Sequence, residues 1–247
     1  MPELSHSFGD QAVSPEERTQ RIRHLFGRVA SRYDLMNDLM SLGIHRLWKR
    51  GLRWAVNPKA GQCIVDLAGG TGDVARLVAG ADRTVIVCDP SWQMMNVGRR
   101  RRHIQRRVTW VAGTGESIPL ASASVDTVTI AFGIRNVTHM EAALREVLRV
   151  LKPGGRFLCL EFSRAAAPIR PAYELFSATV IPRLGRLIAR DPEAYHYLVE
   201  SIRRFPDQEE LKRILEQTGF VDVRYRNFSF GIACLHIGSR PGNPSDA

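Results

Sequence analysis

Val65-Asp66-Leu67-Ala68-Gly69-Gly70-Thr71-Gly72-Asp73 decides the fold. The apolar run Cys63-Ile64-Val65 enters it with the pattern of a buried strand, three glycines follow, and Asp73-Val74-Ala75-Arg76-Leu77-Val78 leaves with helical spacing. Strand, bare turn and helix in that order make a ligand cradle. Glycine accepts positive φ and lets a ligand approach the main chain, and the helix start offers free N–H groups.

Spacing alone leaves two ligands open. Gly70-Thr71-Gly72-Asp73-Val74-Ala75 fits the G-x-G-x-x-A dinucleotide fingerprint, and Asp89, closing the next apolar run Thr84 to Cys88, is spaced to bind a ribose. The acids favour S-adenosylmethionine over NAD. Asp66, just before the glycines, could orient a cationic ammonium group, whereas a pyrophosphate would meet the like charges of Asp66 and Asp73.

Outward from this loop, strands and helices alternate. Strands are predicted at Thr84 to Cys88, Val108 to Val111, Val125 to Phe132 and Arg156 to Glu161. The helix Met140 to Leu151 is expected to stop at the turn Lys152-Pro153-Gly154-Gly155. A helix Asp207 to Thr218 closes at Gly219, and Val221 to Phe228 and Ile232 to Ile237 end the chain as a hairpin-like pair. The expected fold is α/β, a doubly wound Rossmann-like sheet of seven strands with the last antiparallel. Its ligand edge would collect Asp66, Gly69, Gly70, Thr71, Gly72, Asp89, Thr114, Gly115, Ala131 and Arg135.

Before the loop, residues 1–13 are polar and aperiodic and read as a disordered tail. Residues 14–57 read as a helical cap. Ser14 and Glu17 form a capping box around Pro15, and Ile22, Leu25, Phe26 and Val29 make an apolar stripe. Residues 58–247 form the main domain, interrupted at 168–204 by a helical, proline-punctuated insert that is a candidate lid.

The 247 residues, 44% of them hydrophobic, suit one cored α/β domain with an appendage. No apolar run approaches the roughly 20 residues that span a bilayer, and no secretory signal is visible, so a cytoplasmic location is expected. Cys63, Cys88, Cys159 and Cys234 sit in or beside strand-like runs without ligand spacing and read as buried free thiols, with no metal site expected. The net charge is +10, densest at Arg99 to Arg102 with Arg106 and Arg107. That cluster suits RNA, anionic lipid or simply a solvated helix face.

With these residues assembled, the chain resembles the class I S-adenosylmethionine methyltransferases, and within them the ubiquinone/menaquinone biosynthesis C-methyltransferases. The resemblance runs from about Arg21 onward. It rests on the Tyr33-to-Trp48 block (Y-D-x-M-N-x-x-M-S-x-x-x-H-x-x-W), the Asp66-to-Asp73 loop, Phe132-Gly133-Ile134-Arg135-Asn136-Val137, and Arg149-Val150-Leu151-Lys152-Pro153-Gly154-Gly155 continuing to Glu161-Phe162-Ser163. It implies that Thr71 and the glycines pass under the methionine part of the cofactor, that Asp89 holds the ribose hydroxyls, and that Thr114-Gly115 faces the adenine. The family usually has Asp or Asn followed by Ala at Thr114-Gly115, and often Ser at Ala131, so the adenine contact departs from the common pattern.

The implied reaction methylates a ring carbon of a polyprenylated benzoquinol or naphthoquinol. Carbon is a poor nucleophile, so a ring hydroxyl must lose its proton. Arg135 is the first candidate to stabilise the oxyanion, Tyr33 the second as an orienting or relaying hydroxyl. Asn136, His45 and Glu161 follow, and His196 reads as either a surface residue or a substrate contact. A prenyl tail implies work at the membrane surface, peripheral on its inner face. A homodimer or an assembly with other quinone-biosynthesis enzymes is left open. RNA or another small molecule is the rival substrate. Base-modifying relatives often carry Asn/Asp-Pro-Pro-aromatic where this chain reads Ala131-Phe132-Gly133-Ile134-Arg135-Asn136, which argues against nucleic acid.

Overall fold

A computed structural model describes residues 4–30, 37–38, 41–101, 107–171, 173, 179 and 192–242. Tyr33, Arg102, Arg106 and, within the expected insert 168–204, positions 172, 174–178 and 180–191 lie outside them. In chain order the elements are β1 (Ser7–Phe8), β2 (Gln11–Ala12), α1 (Pro15–Val29), α2 (His45–Val56), β3 (Cys63–Leu67), α3 (Asp73–Val78), β4 (Thr84–Asp89), α4 (Trp92–Arg99), β5 (Thr109–Ala112) and β6 (Val125–Ala131). There follow α5 (Met140–Val150), β7 (Leu151–Phe162), α6 (Pro192–Arg204), α7 (Gln208–Thr218), β8 (Val221–Phe228) and β9 (Ala233–Ser239).

The sheet has seven strands in the order β5-β4-β3-β6-β7-β9-β8. The pairs from β5 to β7 are parallel, and β9 runs antiparallel to both β7 and β8. Both expectations, seven strands and an antiparallel last strand, are met. Strand alternation sorts the core into two faces. Ile64, Val85, Val87, Leu158 and Leu160 point to the side covered by α2, α3 and α4, where Leu52, Val56, Val74, Val78 and Met95 meet them. Val65, Leu67, Ile86, Cys88, Val128, Ile130 and Phe157 point to the side covered by α5 and α7, against Leu144, Val147, Ile214 and Leu215. Cys88, Cys159 and Cys234 are buried, Cys63 is half-buried, and all four are free thiols.

The helix ends follow the side-chain chemistry. Glu17 N donates to Ser14 Oγ at 3.2 Å, but the Glu17 carboxylate turns to Arg21 at 2.6 Å, so only half of the capping box forms. Asp207 caps α7 through Glu210 N, and Gly219 ends it at φ 113°.

Two expectations fail. From Leu4 onward the supposed tail is built. A 3₁₀ turn and the β1–β2 hairpin put Phe8 in a third small core with Val13, Ile22, Leu25, Val29, Tyr197 and Leu198, its ring stacked on Tyr197 at 4.6 Å. Strands of two residues are too short to show periodicity, and the anchor Tyr197 lies near the other end of the chain. The turn expected at Lys152–Gly155 is instead the start of β7. Gly154 at φ 72° donates to Arg240 O at 3.1 Å, and Arg240 N donates to Gly155 O at 2.8 Å, so the C-terminal strand pairs the segment.

Gly98 joins the fold to the loop after β3. A Cβ there would lie 2.3 Å from Trp110 Cη2 and 2.6 Å from Thr71 O, and backbone cannot yield cheaply. We expect Gly98→Ala to destabilise the protein by about 1–3 kcal/mol in denaturant titration, while Gly242→Ala, with open space around it, leaves the midpoint unchanged.

Candidate functional site

The chain leaves β3 through Ala68 at φ 49°, Gly70 at φ 54° and Gly72 at φ 76°. Gly69 is bare for a steric reason. A Cβ would fall 2.8 Å from Asp66 Oδ2 and 2.9 Å from Asp66 O. Asp66 sits beneath the loop and ties its ends together: Oδ2 accepts from Ala75 N and Oδ1 from Thr129 Oγ1, both at 3.0 Å. The parallel register that pairs Asp66 with Thr129 across β3 and β6 sets this contact. Burial pushes the Asp66 carboxyl up to about 7, against the pull of those hydrogen bonds. Asp89 does the same from β4. Its Oδ2 accepts from Gly70 N at 2.8 Å and its Oδ1 from Ser91 N at 2.7 Å, and burial raises it to about 6.

These groups open onto one cavity of about 1030 Å³, open mouth included, at the carboxyl ends of β3, β4 and β6. Asp66, Gly69, Gly70, Thr71, Asp89, Thr114, Gly115, Ala131 and Asn136 all line it, as do Phe132 and Met94. α1 roofs the cavity with Thr19, Ile22, Arg23 and Phe26. Gly72 lies below the loop rather than at the cavity wall. A Cβ on it would be 2.8 Å from Trp110 Cη2, so its bareness serves packing. Thr114 pairs with Ser117 in an isolated bridge, and Glu116 Oε1 accepts from Thr138 N at 3.0 Å and His139 N at 3.1 Å.

Asp73 opens α3 but leaves no free anion. Lys49 Nζ donates to its Oδ2 and Arg101 Nη1 to its Oδ1, both at 3.0 Å. Burial pushes Asp73 up, and the two cations outweigh it, holding the carboxyl below its usual range. Lys49 is buried on α2 and lines the cavity beside Asp66.

Arg135 sits behind the cavity wall rather than on it. The 3₁₀ turn Ile134–Asn136 carries it inward, where Nη1 donates to Glu161 Oε1 at 2.7 Å and to Phe132 O at 2.8 Å. Both side chains are buried. Burial raises the Glu161 carboxyl against the pull of Arg135. Arg135 Nε and Glu161 Oε2 are buried without a hydrogen-bond partner among the described residues, as is the nearby Ser163 Oγ. Phe162 lies under the guanidinium at 5.5 Å, with Phe132 at 4.7 Å and Trp48 at 6.1 Å from the Phe162 ring, so the polar spot adjoins an aromatic box.

Asn136 is held from two sides. Tyr197 Oη donates to its Oδ1 at 3.0 Å. Arg18, buried on α1, donates to Ser7 O, Arg135 O, Val137 O and Thr138 Oγ1 at 2.9 to 3.2 Å. Sequence reasoning missed Arg18, Lys49, Thr129 and Tyr197. Arg18 carried a signal: with Ile22, Leu25 and Val29 it falls on the apolar stripe of α1, where a charge needs partners. His45 is buried, bonded to Ser41 Oγ at 2.8 Å, and does not line the cavity, and the exposed His196 faces Asp10 at 3.3 Å.

The profile of the ubiE/COQ5 methyltransferase family matches residues 14–240. The chain belongs to the ubiE/COQ5 methyltransferase family. It is 63% identical over 237 residues to the ubiquinone/menaquinone biosynthesis C-methyltransferase UbiE of Rubrivivax gelatinosus, covering 96% of this chain and 94% of that protein. It is 43% identical to the mitochondrial 2-methoxy-6-polyprenyl-1,4-benzoquinol methylase of Danio rerio, covering 95% of this chain and 84% of that one. A SAM-dependent methyltransferase from Thermotoga maritima shares the fold at a TM-score of 0.64 and 20% identity, covering 89% of this chain and 99% of that one. The methyltransferase is S-adenosylmethionine-dependent, and its cavity fits that cofactor. The bare loop admits close backbone approach, and Asp66 and Asp89 supply negative charge for a cationic, hydroxyl-bearing ligand.

Tyr197→Phe removes the bond to Asn136 while keeping the stack on Phe8. We expect the methyltransferase variant to lose about tenfold in kcat, measured by steady-state kinetics.

The two buried carboxylates give a pH signature. Their folded pKa values lie above the unfolded value of 3.8, so the ligand-free fold holds more protons than the unfolded chain between about pH 4 and 7 and loses stability as pH rises through that window. A cationic cofactor favours the ionised forms and reverses the trend. The melting temperature of the free protein should fall from pH 5 to pH 8, and cofactor affinity should rise by about tenfold from pH 6 to pH 8 with proton release. Asp66→Asn should flatten both profiles.

Proposed function

We propose that the protein transfers the methyl group of S-adenosylmethionine to a ring carbon of a polyprenylated quinol, 2-methoxy-6-polyprenyl-1,4-benzoquinol, demethylmenaquinol or both, in ubiquinone and menaquinone biosynthesis. The observation that carries this reading is the polar pair Arg135 Nε and Glu161 Oε2, without a hydrogen-bond partner among the described residues and buried beside the aromatic box of Trp48, Phe132 and Phe162. A hydroxylated aromatic ring supplies both what the box packs and what the pair lacks.

When bound, the cofactor supplies an electrophilic methyl on a positively charged sulfur. The chain's own groups prepare the acceptor. The guanidinium of Arg135, fixed by Glu161 just behind the cavity wall, stabilises the ring oxygen electrostatically as that hydroxyl passes its proton to water. Tyr197, whose hydroxyl burial pushes up, and Tyr173, pushed up to about 12, stay neutral and cannot compete as anions. Asn136 lines the cavity with its side chain held at both ends, its carbonyl accepting from Tyr197 and its amide donating to Phe132 O. Tyr33 is assigned as an orienting or proton-relaying hydroxyl. The aromatic box excludes water from the attacking carbon.

The proposed domain plan is a helical cap at 14–57 and a methyltransferase domain at 58–247, with the insert 168–204 as a candidate lid. A tailed substrate places the enzyme peripherally on the cytoplasmic face of the membrane, as a homodimer or with other enzymes of quinone synthesis. No described helix is long and apolar enough to cross a membrane. The RNA alternative is weakened by the arginine cluster itself: Arg101 is bound to Asp73, and Arg99 lies over Trp92 at 5.2 Å.

A methylation assay with radiolabelled S-adenosylmethionine tests the reading. Reduced demethylmenaquinone, a methoxy-polyprenyl-benzoquinol and bulk RNA are offered side by side to the wild type, Arg135→Ala and Arg135→Lys. We expect label in a quinol and a loss of about a hundredfold or more in Arg135→Ala with cofactor binding retained. Label in RNA alone overturns the substrate assignment.

A further inference from the structure

One face of α2 presents apolar side chains to solvent. Ile44, just before the helix, and Leu47, Gly51 and Trp54 recur every three to four residues and so share a stripe. Leu47 is 59% exposed and Trp54 73%. At the centre of the stripe Gly51 has no side chain, and the ring of Phe228 fills the gap: a Cβ on Gly51 would lie 2.7 Å from Phe228 Cζ. Two residues on, Phe230 is 74% exposed in the turn between β8 and β9, held at φ 56°. That turn is fastened to α2 by Trp48 Nε1 donating to Ser229 Oγ at 3.0 Å. The result is a continuous apolar ridge built from two distant stretches of chain.

Cations frame the ridge. Arg46, Arg50 and Arg53 follow one another along the side of α2, all exposed, and Arg226 stands over the Phe228 ring at 5.5 Å on the other. α2 contains no acidic residue. Asp38, the acid near its start, is answered by Arg46 at 2.7 Å. Scattered exposed apolar residues need no explanation, but a protruding ridge of leucine, tryptophan and phenylalanine between arginines has the composition of an interfacial helix, apolar side chains for the acyl boundary and cations for headgroup phosphates. Side chains this exposed stand proud of the surface. They suit a deformable anionic surface, which accepts them without a matching pocket.

We propose that the α2 ridge and the β8–β9 turn form the docking surface for an anionic lipid bilayer. The proposal deepens the quinol reading and rests on it in one respect, that the tailed acceptor dissolves in the same bilayer. The inward side of the same helix completes the connection. Trp48 packs on Phe132 and Phe162 at 6.1 Å each, so one helix joins the lipid face to the wall of the acceptor site.

The test uses the full-length protein and vesicles of phosphatidylcholine alone or mixed with phosphatidylglycerol. The wild type should co-sediment with anionic vesicles at least about tenfold better than with neutral ones, and both Trp54→Ser/Phe230→Ser and Arg50→Gln/Arg53→Gln should lose about tenfold or more of that binding. Both variants should keep their melting temperatures and methylate a short-tailed, water-soluble quinol at the wild-type rate, while losing activity on a long-tailed quinol held in vesicles. Equal vesicle binding by wild type and both variants overturns the proposal. So does a solution homodimer that dissociates on Trp54→Ser/Phe230→Ser, since the ridge then belongs to a second copy. If the wild type methylates neither quinol, the substrate reading fails and vesicle binding still decides the ridge.

Discussion

The carboxylate of Asp66 is the contact on which the site depends. It joins the end of β3, the first turn of α3 and the middle of β6 through two hydrogen bonds, and it does so from a fully buried position. An ionised carboxylate there is costly, and the loop above is shaped by it. Gly69 has no room for a side chain because Asp66 lies under it. Ala68 and Gly70 take positive φ to pass over it. The fold thus carries local electrostatic strain where a positively charged cofactor would relieve it, which ties stability and binding to one proton.

Asp89 repeats this arrangement one strand over, and the two acids divide the loop between them. Asp89 fixes Gly70 from the β4 side while Asp66 fixes Ala75 from below. Lys49 and Arg101 neutralise Asp73, so the third acid does not add to the repulsion. Three carboxylates can stand together because each has a different partner: backbone amides, a threonine hydroxyl and two cations.

The parts legible in the sequence were those whose cause is local. Alternation of Ile64 and Val65 to opposite sheet faces, the glycines after β3, and Asp89 at the end of β4 follow from period and spacing, and the structure brings them to one edge. Arg135 was legible as a candidate but not in its orientation, because Glu161 reaches it only after β6 and β7 pair. Lys49 and Tyr197 were invisible for the same reason: their partners Asp73 and Asn136 sit on other elements. The hairpin at residues 7–12 escaped notice because two-residue strands have no period. Arg18 stood in plain view on the apolar stripe of α1, where its partners were not yet known.

The third core joins the cavity roof to the loop after β6 without entering either sheet core. The hairpin, α1 and α6 pack on one another through Phe8, Ile22, Leu25, Val29, Tyr197 and Leu198. Their ties to the loop after β6 are polar: Arg18 to the carbonyls of residues 135 to 137, Thr19 Oγ1 to Thr138 Oγ1 at 2.8 Å, and Tyr197 to Asn136. α1 supplies the cavity roof. The same bonds set Asn136 and the backbone of Arg135, so one set of hydrogen bonds both seats the cavity roof and orients the loop after β6.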